Sequence, residues 1–173
     1  FHGGSDGSNF GTSISGDGDV NGDGLCDLLI GSSSNSQNGS SSGRVDLFLG
    51  GDDEYKGDMN SSTSDVTFLG MATMDQAGSS IGIAGDLNGD GKDDLIICDR
   101  HSYHSSYRGS AKVFLGRAAW PRNMNLNDCD LLLETDSSCP NAYLKVSKCG
   151  DVNNDDLIDL RDLVRLSRYV NIP

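Results

Sequence analysis

The sequence predicts a mainly β chain built from repeated four-stranded units and ending in a short helix. Three observations predict it. Of the 26 acidic residues in this 173-residue chain, only Glu54 and Glu134 are glutamate; the rest are aspartate. Asp hydrogen-bonds nearby backbone and so favours turns and loops over helix interiors. Glycine occurs 23 times and proline 3 times, which describes many tight loops between short strands. Third, one acidic segment recurs three times at nearly equal spacing, the sign of a repeated structural unit.

The recurring segment is Gly16-Asp17-Gly18-Asp19-Val20-Asn21-Gly22-Asp23-Gly24-Leu25-Cys26-Asp27, then Gly85-Asp86-Leu87-Asn88-Gly89-Asp90-Gly91-Lys92-Asp93-Asp94, then Gly150-Asp151-Val152-Asn153-Asn154-Asp155-Asp156-Leu157-Ile158-Asp159. Its first patterned acids, Asp19, Asp86 and Asp151, lie 67 and 65 residues apart. A short stretch with strand character precedes each segment, at 10–15, 79–84 and 142–146. Apolar runs follow the first two, at 28–31 and 95–98, then at 43–50 and 109–116, and finally at 66–69 and 130–133. Short alternating or β-branched runs bounded by Gly, Ser and Asn are strand signals. Four short antiparallel strands per unit make one blade of a β-propeller. The expectation is a partial propeller of two to three four-stranded blades, divided as 1–70, 71–140 and 141–173, with a short C-terminal helix. A ring takes about 4–8 blades, so such a chain leaves blade edges open and is marginal alone. Residues 32–42, rich in Ser, Asn and Gly, are expected to form a mobile surface loop; 101–107 hold the equivalent place in the second unit.

The acidic loops have the pattern Asp-x-Asn-x-Asp-x-x-x-Asp. Alternate positions put side-chain oxygens on the inside of a tight loop, and position 7 offers its carbonyl. Such an all-oxygen set suits Ca2+, a hard cation that takes about 6–8 oxygen ligands. The predicted ligands are Asp19, Asn21, Asp23, Leu25 (carbonyl) and Asp27 in the first loop, and Asp86, Asn88, Asp90, Lys92 (carbonyl) and Asp94 in the second. A third Ca2+ site comprises Asp151, Asn153, Asp155, Leu157 (carbonyl) and Asp159. Gly24 and Gly91 at position 6 allow the positive φ of the turn. Asp17, Asp93 and Asp156 fall off the pattern and are expected to be solvated or to act as outer charge.

These residues resemble the FG-GAP repeats that form the blades of the integrin α-subunit N-terminal propeller and of related secreted bacterial and archaeal proteins. The matching pieces are Phe10-Gly11-Thr12-Ser13-Ile14, the loop at 19–27 with Asp27-Leu28-Leu29-Ile30-Gly31, Gly78-Ser79-Ser80-Ile81, the loop at 86–94 with Asp94-Leu95-Ile96-Ile97, and the runs 43–50 and 109–116. The second unit lacks the Phe of Phe-Gly, and Cys98 stands where Gly is usual after the second strand. The resemblance implies calcium loops on the face away from the ligand site, where they hold blades rigid.

The third unit differs. Leu160, Leu163, Val164, Leu166 and Val170 recur at helical spacing, with Arg161, Arg165 and Arg168 elsewhere around the helix. The stretch from Asp151 through Asp162-Leu163 to Arg168-Tyr169 resembles one half of a dockerin, which implies Asp162 as a last ligand, as in an EF-hand. A dockerin-like hand is the preferred reading and a degenerate third blade the alternative. If a second half completes it, the resemblance implies a cohesin-like partner.

The net charge of −13 argues against nucleic acid as a partner. No apolar run approaches the roughly 18 residues of a membrane span. The first residue is Phe1, not Met, and the chain is expected to be a fragment or processed piece. Five cysteines (Cys26, Cys98, Cys129, Cys139, Cys149) show neither a CxxC pair nor zinc spacing, and no disulfide framework is assigned. His101 and His104, with Asp99, Tyr103 and Tyr107, mark the loop expected to meet a partner. Trp120 and Tyr55 are read as packing residues. The functional expectation is a non-enzymatic extracellular or cell-surface calcium-binding module for adhesion or scaffolding, with a protein or glycan ligand. The alternatives are an accessory propeller and anchoring region of a secreted, for example polysaccharide-degrading, enzyme, and an enzyme resembling the propeller-bearing phospholipases.

Overall fold

The structure, a computed structural model, describes Gly3 and residues 7–51, 60–100 and 109–134. The third acidic loop, the C-terminal helical pattern, Tyr55 and the histidine-bearing loop lie outside the described residues. Among the described residues nine strands form, in the order β1 (Phe10–Gly18), β2 (Asp27–Ser32), β3 (Arg44–Phe48), β4 (Val66–Leu69), β5 (Ser80–Ile83), β6 (Leu95–Asp99), β7 (Ser110–Phe114), β8 (Asn123–Asn125) and β9 (Leu131–Glu134). Among the described residues the only helical element is a single 3-10 turn at Leu126–Asp128. The two sheets have the orders β1-β2-β3-β4-β8 and β5-β6-β7-β9.

The two repeats pair their second, third and fourth strands in the same register. Leu28 pairs with Phe48 and Leu29 with Leu47 in the first sheet; Leu95 pairs with Phe114 and Ile96 with Val113 in the second. Strands β1–β4 and β5, β6, β7 and β9 run antiparallel in sequence order. Alternation within the strands then sends residues to two faces. Ile97 and Phe114 of the second sheet share a core with Leu29, Val45, Leu47, Val66 and Phe68 of the first. Ile96, Cys98, Ala111 and Val113 occupy a separate cluster on the other face of the second sheet. The sheets therefore stack face to face, the arrangement of a partial β-propeller.

Two expectations change. The first sheet has five strands, not four, because β8 adds to the outer edge of β4 in parallel, pairing Thr67 with Asn123 and Leu69 with Asn125. This segment lies between β7 and β9, so the second repeat lends a strand to the first and covers its edge. The loop after β2 is also not a free surface tether. Asn38 Nδ2 donates to Gly70 O at 2.8 Å, and Met74, Gln76 and Ala77 donate backbone N–H to Ser40, Ser41 and Ser42. Gly43 sits at φ +83°, and a Cβ there would lie 2.2 Å from Ala77 N. Glycine at this position lets the two backbones close, and the backbone ladder holds the polar loop that composition alone marked as mobile.

Candidate metal loops and the junction between the sheets

Each acidic loop connects the first and second strands of its repeat, and the two are built from the same hydrogen bonds. In the first, Asp19 Oδ1 accepts from Gly22 N and Asp23 N, and its Oδ2 from Gly24 N. Asn21 Oδ1 accepts from Asp23 N, and Asp23 Oδ1 from Leu25 N. In the second, Asp86 accepts from Gly89, Asp90 and Gly91, Asn88 from Asp90, and Asp90 from Lys92. Gly22 and Gly24, like Gly89 and Gly91, have φ between +78° and +86°, a region costly for residues with a Cβ.

The ninth position is anchored differently. Asp27 Oδ2 accepts from Val20 N at 2.7 Å and its Oδ1 from Gly50 N at 2.7 Å. Asp94 repeats this with Leu87 N at 2.9 Å and Gly116 N at 2.7 Å. Both carboxylates are buried. Each ties its loop to the residue two past the third strand, so the loop, the second strand and the third strand are fixed together. Burial pushes Asp94 up to about 6, against the Gly116 and Leu87 bonds that favour its ionised form, and repulsion from Asp86 and Asp90 adds to the rise. Burial likewise raises Asp27.

The structure thus brings positions 1, 3 and 5 together through shared backbone N–H groups and holds position 9 on its own anchors. Among the described residues no group of three His, Cys, Asp or Glu side chains is placed to hold a metal ion; the predicted set adds the Asn amide and the position-7 carbonyl. The donor chemistry, three carboxylates with two neutral oxygens per loop, fits a hard divalent cation. Leu25 is 39% exposed, and the Lys92 ammonium lies 3.5 Å from Asp90.

The raised Asp94 carboxyl gives a sign for pH. Its folded state holds a proton more tightly than the unfolded chain, whose value is near 3.8. Metal-free protein should therefore gain stability as pH falls from 7 through 6 towards 4, and lose it as pH rises. Calorimetric melting of calcium-stripped protein at pH 7 and pH 5 checks this. A higher melting temperature at pH 5 is expected, with a smaller difference in Asp94→Asn; a lower one at pH 5 would contradict it.

Several residues have roles the sequence reading did not assign. Asp93, expected to be solvated or outer charge, reaches the neighbouring repeat: its Oδ2 accepts from Asp19 N at 2.8 Å. Asp65 Oδ2 accepts from Leu49 N, and Asp130 Oδ2 from Leu115 N. The signal for this second matched pair was present, since an Asp precedes the fourth strand in both units. Asp99, grouped in the sequence with the histidine loop, is buried against Lys112 and Ser110. Asp17 is exposed. Trp120 packs as expected, 5.9 Å from Phe68 with its ring edge-on and beneath the Arg117 guanidinium at 4.8 Å. Burial pushes the Cys98 thiol up to about 12, so it is held as a neutral thiol. No helix among the described residues is long and apolar enough to cross a membrane.

Mouse (Mus musculus) integrin alpha-IIb is 35% identical over 105 residues, covering 58% of this chain and 10% of that protein. The chain thus spans about a tenth of the length of this curated relative. Residues 10–48, from the first residue of β1 to the last of β3 and including the whole first acidic loop, match the FG-GAP repeat family model.

Proposed function

We propose that the chain is a non-enzymatic, calcium-stabilised repeat module that works outside the cell or at its surface by binding a protein or glycan. The observation that carries the calcium reading is the duplication of the loop. Two segments 67 residues apart hold the same oxygen donors with the same backbone bonds. The similarity to an integrin α subunit supports adhesion or protein–protein contact as the role. Asp19, Asn21, Asp23, Asp27 and the Leu25 carbonyl would hold one Ca2+; Asp86, Asn88, Asp90, Asp94 and the Lys92 carbonyl would hold another. A bound divalent cation would neutralise carboxylates that otherwise repel and cross-link the ends of the strands.

The module is proposed to comprise two repeats, 1–70 and 71–140, and a third calcium segment, 141–173, that includes Asp151, Asn153, Asp155, Leu157, Asp159 and Asp162. The helical spacing of Leu160, Leu163, Val164 and Leu166 favours a second reading of that segment, as a dockerin-like half that anchors a secreted enzyme's accessory region to a cohesin-like partner.

Melting in calcium and in chelator tests the proposal. Calcium a hundredfold above its Kd should stabilise by about 2.7 kcal/mol per occupied loop, and chelator should reverse it. Titration calorimetry should count two ions for the loops at 19–27 and 86–94, and three if 151–162 also binds. An unchanged melting temperature would remove calcium from the account.

A further inference from the structure

We propose that the two calcium loops are energetically coupled across the junction of the sheets, and that Asp93 is the positioning residue that couples them. The inference rests on the calcium reading above and goes beyond it, because nothing in the loop pattern requires one loop to sense the other.

Asp93 stands between Lys92 and Asp94, the seventh and ninth positions of the second loop. It grips Asp19, the first position of the first loop, from both sides of the peptide. Asp93 Oδ2 accepts from Asp19 N at 2.8 Å, and Asp93 N donates to Asp19 O at 2.8 Å. The next residue is held by the second repeat as well. Val20 O accepts from Arg117 N at 3.0 Å and from Trp120 Nε1 at 3.3 Å, while Val20 N donates to Asp27. The chain makes room for this clasp. A Cβ at Gly18 would lie 2.6 Å from Asp93 Oδ2 and 2.4 Å from Ile83 Cγ2. At Gly22 it would stand 3.2 Å from Lys92 Cγ.

The consequence is mechanical. With Lys92 and Asp94 fixed at the second loop, the backbone of residue 93 between them is fixed too. Its N–H and carboxylate then hold Asp19 and Val20 in place, so less ordering remains when the first loop closes on its own cation. Coupling of this kind is reciprocal. The residues matching Asp93 in the other two loops are Cys26 and Ile158, neither of which has a carboxylate or amide oxygen to offer.

Trp120 is the chain's one tryptophan, and its indole bonds the residue after Asp19, so its emission reports the first loop. The experiment titrates Ca2+ into the full chain by calorimetry and by Trp120 emission, for the wild type, Asp90→Ala, Asp93→Ala and the double variant. Disabling the second loop with Asp90→Ala should weaken the first by about 10-fold, within the usual range of coupling between sites. In the Asp93→Ala background the same change should shift it less than about 2-fold. Asp93→Asn keeps an acceptor oxygen and should restore most of the coupling, which a general loosening of the junction would not explain. If the wild type takes up no Ca2+, the calcium reading fails and the coupling with it. If it binds two ions and Asp90→Ala leaves the first loop's affinity unchanged, the coupling fails and the calcium reading stands. If Asp90→Ala weakens the first loop equally with and without the Asp93 carboxylate, the role given to Asp93 is overturned.

Discussion

Replacing Lys112 by methionine should cost the protein about 3–5 kcal/mol, the loss expected when one partner of a buried ion pair is removed. Lys112 lies at the middle of β7, 6% exposed, on the face that packs against the first sheet. Its ammonium bonds Asp99 Oδ2 and donates to Ser110 Oγ at 2.6 Å. Asp99 Oδ1 also accepts from Ser110 N and Ser110 Oγ, each at 2.9 Å. Asp75, itself buried, is close enough to feel both charges, and burial raises its carboxyl. Methionine keeps the stem's volume and removes the charge, so the loss reads electrostatics rather than packing. Two acids would then share a buried site without the Lys112 ammonium that both feel. The partner test is Lys112→Met with Asp99→Asn, which removes both charges and keeps an oxygen for Ser110. Chemical denaturation should show the double variant recovering at least about 2 kcal/mol over the single, because an unpaired buried charge costs more than the pair is worth. A single-variant loss under about 1 kcal/mol, or a double variant no better than the single, would show that solvent reaches the site.

The first repeat meets the same problem with a different pair. Asp46 occupies the position equivalent to Lys112, and Arg44 bonds it from the same face of β3, with Nη2 2.6 Å from Asp46 Oδ1. Gln37 Oε1, Thr67 Oγ1 and the Ser61 carbonyl also accept from the guanidinium. Charge at the centre of the third strand is thus kept while its sign is exchanged between repeats. Alternation could not reveal this, because a strand reading treats Arg44, Asp46 and Lys112 as the solvated face of an antiparallel sheet. Lys112 is buried because the first sheet covers its face, whereas Arg44 and Asp46 lie on the face of β3 opposite Val45 and Leu47, where Gln37, Ser61 and Thr67 close around them; both are tertiary facts absent from any single strand.

The repeat itself was legible because it is written in chemistry that only one backbone shape can use. Gly22, Gly24, Gly89 and Gly91 mark positive φ, and Asp and Asn on alternate positions mark a loop closing on itself. Strands β2, β3, β6 and β7 carry enough consecutive Leu, Ile, Val and Phe to be placed within a residue or two. Strand β8 carried no such signal. Asn123-Met124-Asn125 contains one apolar residue, and its strand conformation comes from the edge of β4 beside it. The loop pattern located the turn and its hydrogen-bonding acids, yet it was silent on Asp93. A carboxylate one position before a ligand is indistinguishable in sequence from a solvated one; only the approach of the neighbouring repeat gives it a partner.

Phe68→Ala should be the most damaging single truncation among the described residues, because Phe68 belongs to both sheets at once. It is fully buried on β4, paired across the ladder with Val45 on β3 and Met124 on β8. Its ring meets Phe114 of β7 edge-on at 4.9 Å and Trp120 at 5.9 Å. Truncating a buried Phe to Ala costs about 3–5 kcal/mol through lost transfer energy and the cavity left behind. The two edge-to-face contacts add about 0.5–1.5 kcal/mol each. For a chain of this length a loss of that size lowers the melting temperature by about 10 °C or more. The position also predicts a change in kind. The core around Phe68 is the layer through which the first sheet holds the second, and the Trp120 indole reports that layer. In Phe68→Ala the near-ultraviolet dichroism of Trp120 should fade at a lower temperature than the far-ultraviolet strand signal, whereas the two should coincide in the wild type. Leu133→Ala is the matched control. Leu133 holds the same register position in the second repeat but is only half-buried and packs against the separate cluster on the far face. Its truncation should cost less and leave the two signals coincident. Equal losses from the two variants, or coincident transitions in Phe68→Ala, would mean that the sheets hold together through the clasp at Asp19 and Asp93 and the strand lent by β8 rather than through their shared core.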